Sequence, residues 1–171
     1  MMQLQNKKIV YIAMLSAGAT VVAILERFIP MPIPFLKLGL ANIFIIIALF
    51  IHPLAALTVI IIKIFFSSII FGGIFQPITI MQLVGGVSGL IGMYLIIKLN
   101  IRCSLLGISI IGAFIHNIAM LLTASLIAHI TDIMKLYSIF AVFSLISGGI
   151  IGIATIYLVK SMYKRNINYN L

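Results

Sequence analysis

Charged residues are scarce in this 171-residue sequence, and only two of them, Glu26 and Asp132, are acidic. Charged residues make up 8% of the chain and hydrophobic residues 64%, whereas soluble domains have about 25% and about 45–50%. A chain this apolar has too few polar groups to cover its own surface in water. The composition excludes a soluble globular protein and predicts one membrane domain over residues 1–171.

The shortage of reactive side chains excludes several activities. Prenyl-diphosphate chemistry needs magnesium held by clustered carboxylates, but Glu26 and Asp132 lie far apart in the sequence. No glycine precedes a lysine, as an ATP-binding Walker loop requires, and the single cysteine, Cys103, has no companion for a disulfide or a zinc site. We therefore predict that the chain is not an enzyme by itself and binds no metal or cofactor. The absence of carboxylate rows also disfavours a self-sufficient secondary carrier.

Basic residues far outnumber acidic ones: eleven Lys and Arg give the chain a net charge of +9. Nucleic-acid binding would need these residues on one solvated face, but here they stand singly between apolar runs. The pattern predicts no nucleic-acid partner and indicates instead the topology of a membrane protein.

Apolar runs separated by proline, glycine and basic residues predict an all-α integral membrane protein, a bundle of six transmembrane helices. Each span needs about 20 apolar residues, and Pro30, Pro32 and Pro34 end the first one in an extended loop. The predicted spans are 9–28, 37–51, 54–71, 77–97, 105–128 and 136–159. The second is short, with 15 residues.

Basic residues also predict the orientation of the bundle. An even number of spans places both termini on one side, and Lys and Arg are enriched in cytoplasmic segments. The N-terminal, fourth-to-fifth and C-terminal segments hold Lys7, Lys8, Lys98, Arg102, Lys160, Lys164 and Arg165. We therefore expect both termini in the cytoplasm.

Three polar residues lie in the middle of predicted spans, where such groups are costly unless they have a partner or a cavity. Lys63 is about ten residues into the third span, close to the bilayer midplane, where it could bind an anionic group of a substrate. It could instead pair with Glu26 or extend its amine towards the interface. His116 and Asn117, at the centre of the fifth span, could bind a polar ligand or clamp two helices together.

Further candidates lie at the predicted outer ends of the first two spans. Lys37 and Asn42 place a cation and an amide near a helix N-terminus, which favours anions, although they could also mark the interface and pack between helices. Glu26 and Arg27 could hold a substrate amine, but balancing nearby charge is the favoured role for a buried carboxylate. Gln76 and Gln82, at the start of the fourth span, could line the outer mouth of the site, but the solvated rim is the favoured position.

Small residues recur every four positions in the first span, in the pairs Ala13 with Ala17 and Ala19 with Ala23. This spacing lets another helix approach closely. It predicts a docking face for a partner membrane protein, with packing inside the bundle as the alternative.

Several of these positions together resemble the pattern of one known family: Glu26, Pro30-Met31-Pro32-Ile33-Pro34, Lys37-Leu38-Gly39-Leu40-Ala41-Asn42, Lys63, Gly72 and His116-Asn117. This is the Gx transporter family, also named heptaprenyl diphosphate synthase component I, and the resemblance covers about residues 10–160. Phe35, Lys63 and Met120 stand where the family usually has Gly, Arg and Gln. Lysine keeps the charge of arginine but loses its bidentate fork.

The resemblance implies a substrate-binding S component of an energy-coupling factor importer in the cell membrane of a prokaryote. Such a protein captures a small nutrient or metabolite from outside and works with two ATPases and a shared transmembrane coupling subunit. The coupling subunit would dock on Ala13 and Ala17. We expect a site for a small anionic molecule, opening outward between the first three helices and the fifth. Its predicted substrate-binding residues are Glu26, Arg27, Lys37, Asn42, Lys63, His116 and Asn117. The alternative is a non-catalytic membrane accessory subunit of a heptaprenyl diphosphate synthase.

Overall fold

The computed structural model describes the backbone of residues 2–30 and 38–168, and the side chains of residues 8–30 and 38–161. Within these ranges the chain is helical, with a short 3-10 helix at Thr131–Leu136. The α-helices are α1 (Met2–Glu26), α2 (Asn42–Ile51), α3 (Pro53–Ile70), α4 (Pro77–Lys98), α5 (Leu105–Ala128) and α6 (Tyr137–Asn168). All except α2 are long and apolar enough to cross a bilayer. The chain is therefore a multi-pass membrane protein.

Local signals in the sequence set the ends of the central helices. Pro53 and Pro77 are the first residues of α3 and α4, a position where the missing N–H of proline costs nothing. Ser104 caps α5 by accepting a hydrogen bond from the Gly107 N–H at 3.2 Å, and the left-handed backbone of His129 ends it. These three helices begin and end within one residue of the predicted spans.

The second helix differs from its prediction. The span was expected to start at Lys37, which lies outside the described residues, and to contain Asn42 one turn inside. Instead, residues 38–41 form a turn, in which Gly39 has a positive φ of 72° and its carbonyl accepts a hydrogen bond from the Asn42 N–H. Asn42 is thus the first residue of α2, and ten helical residues cover about 15 Å, half of the hydrocarbon thickness of about 30 Å.

Glycines bring α4, α5 and α6 into close contact. A Cβ atom added to Gly148 would lie 2.6 Å from the Cα of Ile110, and one added to Gly152 would lie 2.9 Å from the Cα of Leu106. On the other side of α5, a Cβ on Gly89 would lie 3.0 Å from the carbonyl oxygen of Gly112. Small residues allow this backbone-to-backbone approach, so α5 is held between α4 and α6.

The remaining helices form the other half of the bundle. The buried core is centred on α2 and α3, where Ile46, Ala56 and Val59 are fully enclosed. Helix α1 packs on α2 and α3 and is the most exposed of the five long helices. One face of α1 therefore lies outside the bundle.

Candidate functional site

The bundle contains a cavity of about 40 Å³, smaller than the roughly 300–1,000 Å³ that is usual for ligand pockets. Every helix contributes to the wall, with Glu26, Asn42, Lys63, Gln82, His116 and Ser147 in the order α1 to α6. We call this cavity the polar chamber. The prediction placed the site between the first three helices and the fifth, and the structure adds α4 and α6.

Two opposite charges lie in the wall of the polar chamber. Lys63 and Glu26 are each only 8% exposed, and they attract each other electrostatically. The Glu26 carboxylate also accepts a hydrogen bond from the Leu40 N–H, which ties the end of α1 to the turn before α2. A buried charge is costly unless it is paired, and the attraction between Lys63 and Glu26 offsets part of that cost.

The neighbouring residues His116 and Asn117 both line the polar chamber. The Asn117 side-chain amide donates a hydrogen bond to the Ser144 hydroxyl at 2.8 Å, and that hydroxyl donates to the Phe140 carbonyl at 2.6 Å. Asn117 thus links α5 to α6 while its side chain stays in the cavity wall. The structure therefore shows the helix clamp considered for Asn117, and ligand binding by this side chain stays a prediction.

Among the described residues, one of the predicted site residues, Arg27, is not found in the wall. The guanidinium of Arg27 lies 4.5 Å from the centre of the Phe71 ring, an arrangement in which a cation is attracted to the ring face. Phe71 also packs edge-on against Phe28, with 6.0 Å between ring centres. Arg27 therefore joins the ends of α1 and α3 beside the chamber, and Lys37 lies outside the described residues.

Sequence reasoning placed Gln82 on the solvated rim, but the structure buries it. Gln82 is 9% exposed, lines the polar chamber, and its amide nitrogen has no hydrogen-bond partner in the described part of the chain. The sequence contains one signal for this burial. Gly86 and Gly89 follow Gln82 by four and seven residues, a spacing that places all three on one face of α4.

A second, more apolar cavity adjoins the polar chamber. Its volume is about 10 Å³, and it shares Asn42, Ala113, His116 and Ile151 with the first cavity. Its wall includes Ile46, Leu90, Met93 and Ser109. We call it the apolar chamber. Of the site residues predicted from the sequence, only Asn42 and His116 are among the described residues that line it.

The alanines predicted to dock a partner lie on the outer face of α1. Ala13 and Ala17 are exposed, whereas Ser16 and Ala19 are buried against the bundle. Packing inside this chain, the alternative considered for Ala13 and Ala17, is therefore not what the structure shows.

Comparison with known proteins identifies the family. The family model described as heptaprenyl diphosphate synthase component I matches residues 15–158. The chain belongs to this family. The match confirms the resemblance seen in the sequence. No curated protein matches the chain.

A solved structure of the S component of a bacterial ECF transporter is similar to this member of the heptaprenyl diphosphate synthase component I family. The two chains are 27% identical, the match covers 96% of this chain and 98% of that chain, and the TM-score is 0.71. The fold is thus that of a transporter S component.

Proposed function

We propose that this chain is the membrane-embedded substrate-binding subunit of an importer of the energy-coupling factor type. The observation that carries the proposal is the polar chamber, which is walled by all six helices and contains the buried charges of Lys63 and Glu26. Intramembrane ionisable groups that face a cavity are typical of substrate sites. Similarity to an S component over nearly the whole chain supports the same function.

The proposed cargo is a small nutrient or metabolite with an anionic group. Lys63 supplies the cation for that group, and Asn42, His116 and Asn117 supply hydrogen bonds. Glu26 balances the charge of Lys63, whereas Arg27 and Lys37 add positive charge near the mouth. Fixed partners of this kind determine the orientation of a bound ligand in an otherwise apolar pocket.

The proposed orientation places the polar chamber in the outer half of the plasma membrane of a prokaryote. Glu26 is at the end of α1, and Asn42 is at the start of α2. The basic residues Lys98 and Arg102 lie at the opposite end of α4 and beyond it, the side that the positive-inside rule assigns to the cytoplasm. With both termini on that side, cargo enters the chamber from outside.

Purification of the tagged protein from its native membrane in mild detergent tests this function. We expect a second membrane subunit and two ATPases to co-purify, together with a small anionic molecule detectable by mass spectrometry. The family name favours one other function, a non-catalytic accessory subunit of a heptaprenyl diphosphate synthase. A co-purified acid-rich prenyl synthase, with no ATPases, would establish that alternative and overturn the importer.

Replacing Ala13 and Ala17 by leucine should break the proposed assembly. Both alanines lie on the exposed face of α1, and two larger side chains would keep a partner helix from approaching closely. We expect roughly a tenfold loss of co-purified coupling subunit, equivalent to about 1.4 kcal/mol of binding free energy. Quantitative mass spectrometry of the purified complex measures this loss.

Two variants serve as controls for the docking face. The Ala13→Ser, Ala17→Ser double variant keeps the side chains small and should retain the partner. Ala128→Leu enlarges an exposed alanine at the end of α5 and should have no effect on assembly. Intact complexes with both leucines in α1 would show that the partner docks elsewhere.

A further inference from the structure

The polar chamber is small, and its size limits what it can hold. One water molecule needs about 10–15 Å³ of cavity space, so the volume of about 40 Å³ accommodates about three or four atoms of that size. A carboxylate group has three non-hydrogen atoms and acetate has four, whereas a phosphate ion has five. The volume therefore favours a carboxylate over a phosphate as the anionic group that the chamber accepts.

Two contacts fix how α3 and α4 pack side by side. The hydroxyl groups of Ser68 and Thr79 are hydrogen-bonded at 3.0 Å. Further along the two helices, a Cβ added to Gly86 would lie 3.1 Å from the Cγ2 atom of Ile60. The residue numbers of these contacts fall on α3 as they rise on α4, so the two helices are antiparallel.

This packing places Lys63 and Gln82 at the same level of the bundle. Lys63 follows Ile60 by three residues and Gln82 precedes Gly86 by four, so they lie about 4.5 Å and about 6 Å from that contact in the same direction. Both residues line the polar chamber, and they are 8% and 9% exposed. The chamber wall therefore contains the two side chains next to each other, on neighbouring helices.

Both side chains are hydrogen-bond donors. The amine of a charged lysine has donors only, and the Gln82 amide nitrogen has no hydrogen-bond partner within the described residues. Buried polar groups are nearly always hydrogen-bonded, and an unpaired one needs an explanation such as a bound ion. Glu26, the other charge in the wall, already accepts a hydrogen bond from the Leu40 N–H. Two adjacent donors match the two oxygens of a carboxylate.

We propose that Lys63 and Gln82 form a clamp for a carboxylate group of the cargo, in which each side chain donates to one of the two oxygens. This inference rests on the proposed function, because it takes the polar chamber as the binding site of the anionic group. It identifies that group as a carboxylate and adds Gln82 as a residue that determines specificity.

Three small molecules that share a methyl group test the clamp: acetate, the neutral amide acetamide and the tetrahedral anion methylphosphonate. Saturation-transfer NMR of the methyl protons measures their binding to the purified protein, in a non-ionic detergent and at constant ionic strength after dialysis into chloride buffer. Acetamide lacks the charge that Lys63 attracts, and hydrogen bonds to charged groups are the stronger ones. Methylphosphonate exceeds the size of the chamber. We expect acetate to bind at least about tenfold more tightly than either.

Gln82→Met keeps the approximate length of the side chain and removes the donor. Acetate affinity should fall roughly tenfold, the usual scale for one hydrogen bond to a charged group. Gln76→Met is the matched control, because the Gln76 amide donates to the Gly72 carbonyl and does not line the polar chamber. This variant should bind acetate as the natural protein does.

The outcomes distinguish this inference from the proposed function. Equal affinity of acetate and either of the other two probes would overturn the carboxylate, and this comparison uses the natural protein, so it decides even if Gln82→Met does not fold. Unchanged acetate affinity in folded Gln82→Met would overturn the clamp. No binding of acetate to the natural protein would overturn both, whereas a failure of the importer itself appears as missing ATPases in the co-purification.

Discussion

Replacing Lys63 with methionine is expected to lower the free energy of unfolding by up to about 3 kcal/mol, because it removes the cation that attracts the buried Glu26 carboxylate. Glu26 would remain buried in the wall of the polar chamber without the nearby cation that attracts it. Adding Glu26→Gln to the same chain removes the remaining charge and should recover much of the loss. Unfolding by a denaturing detergent in mixed micelles measures the natural protein, the two single variants Lys63→Met and Glu26→Gln, and the double variant.

The decisive quantity is the coupling energy between the two substitutions. Residues that interact directly have coupling energies of about 0.5–3 kcal/mol, and distant ones add independently. A coupling near zero would show that the two charges do not stabilise each other. The stable double variant also tests the site, because it should insert and fold yet lose the small anionic molecule that we expect to co-purify with the natural protein.

Gly148→Ala is the second substitution with a large expected effect. The added Cβ would lie 2.6 Å from the Cα of Ile110 and 3.1 Å from its backbone nitrogen, and backbone atoms cannot move aside as a flexible side chain can. Overpacking of this kind typically costs about 1–3 kcal/mol. We expect this decrease in the free energy of unfolding, measured in mixed micelles.

The next residue in the sequence is a matched control for Gly148. A Cβ on Gly149 would have no atom within 4 Å, so Gly149→Ala should be neutral or stabilise α6 by up to about 1 kcal/mol, since alanine favours helix. Equal stability of the two variants would mean that α5 and α6 are not in backbone contact at this point.

The helices of this fold were largely predictable because their ends are set locally. Proline at the first helical position and a serine cap act through neighbouring backbone atoms, so Pro53, Pro77 and Ser104 predict the starts of α3, α4 and α5. The start of α2 was not predictable in the same way. Apolar residues continue through the turn that Gly39 makes, and hydropathy alone does not distinguish an apolar turn from an apolar helix.

Site residues of a type that is rare in membrane helices could be predicted from the sequence, whereas those of a common type could not. Lys63, His116 and Asn117 stand out in apolar spans, and all three line the polar chamber. Serine is common in membrane helices, so Ser109 carries no signal of its own. Gln82 was misplaced because burial depends on how α4 rotates towards α5, which is set by the glycines between those helices.

Helix α1 is a continuous element that reaches both the cavity and the outer face of the bundle. Glu26 lies in the chamber wall, and Ala13 and Ala17 lie on the exposed face, about 14–20 Å away along the same helix axis. Any displacement of α1 therefore moves part of the cavity wall and the exposed alanine face together. If cargo binding alters the affinity of the docking face for its partner, thermodynamic reciprocity requires the partner to alter cargo affinity by the same factor. A single helix can thus link capture of the cargo to its release.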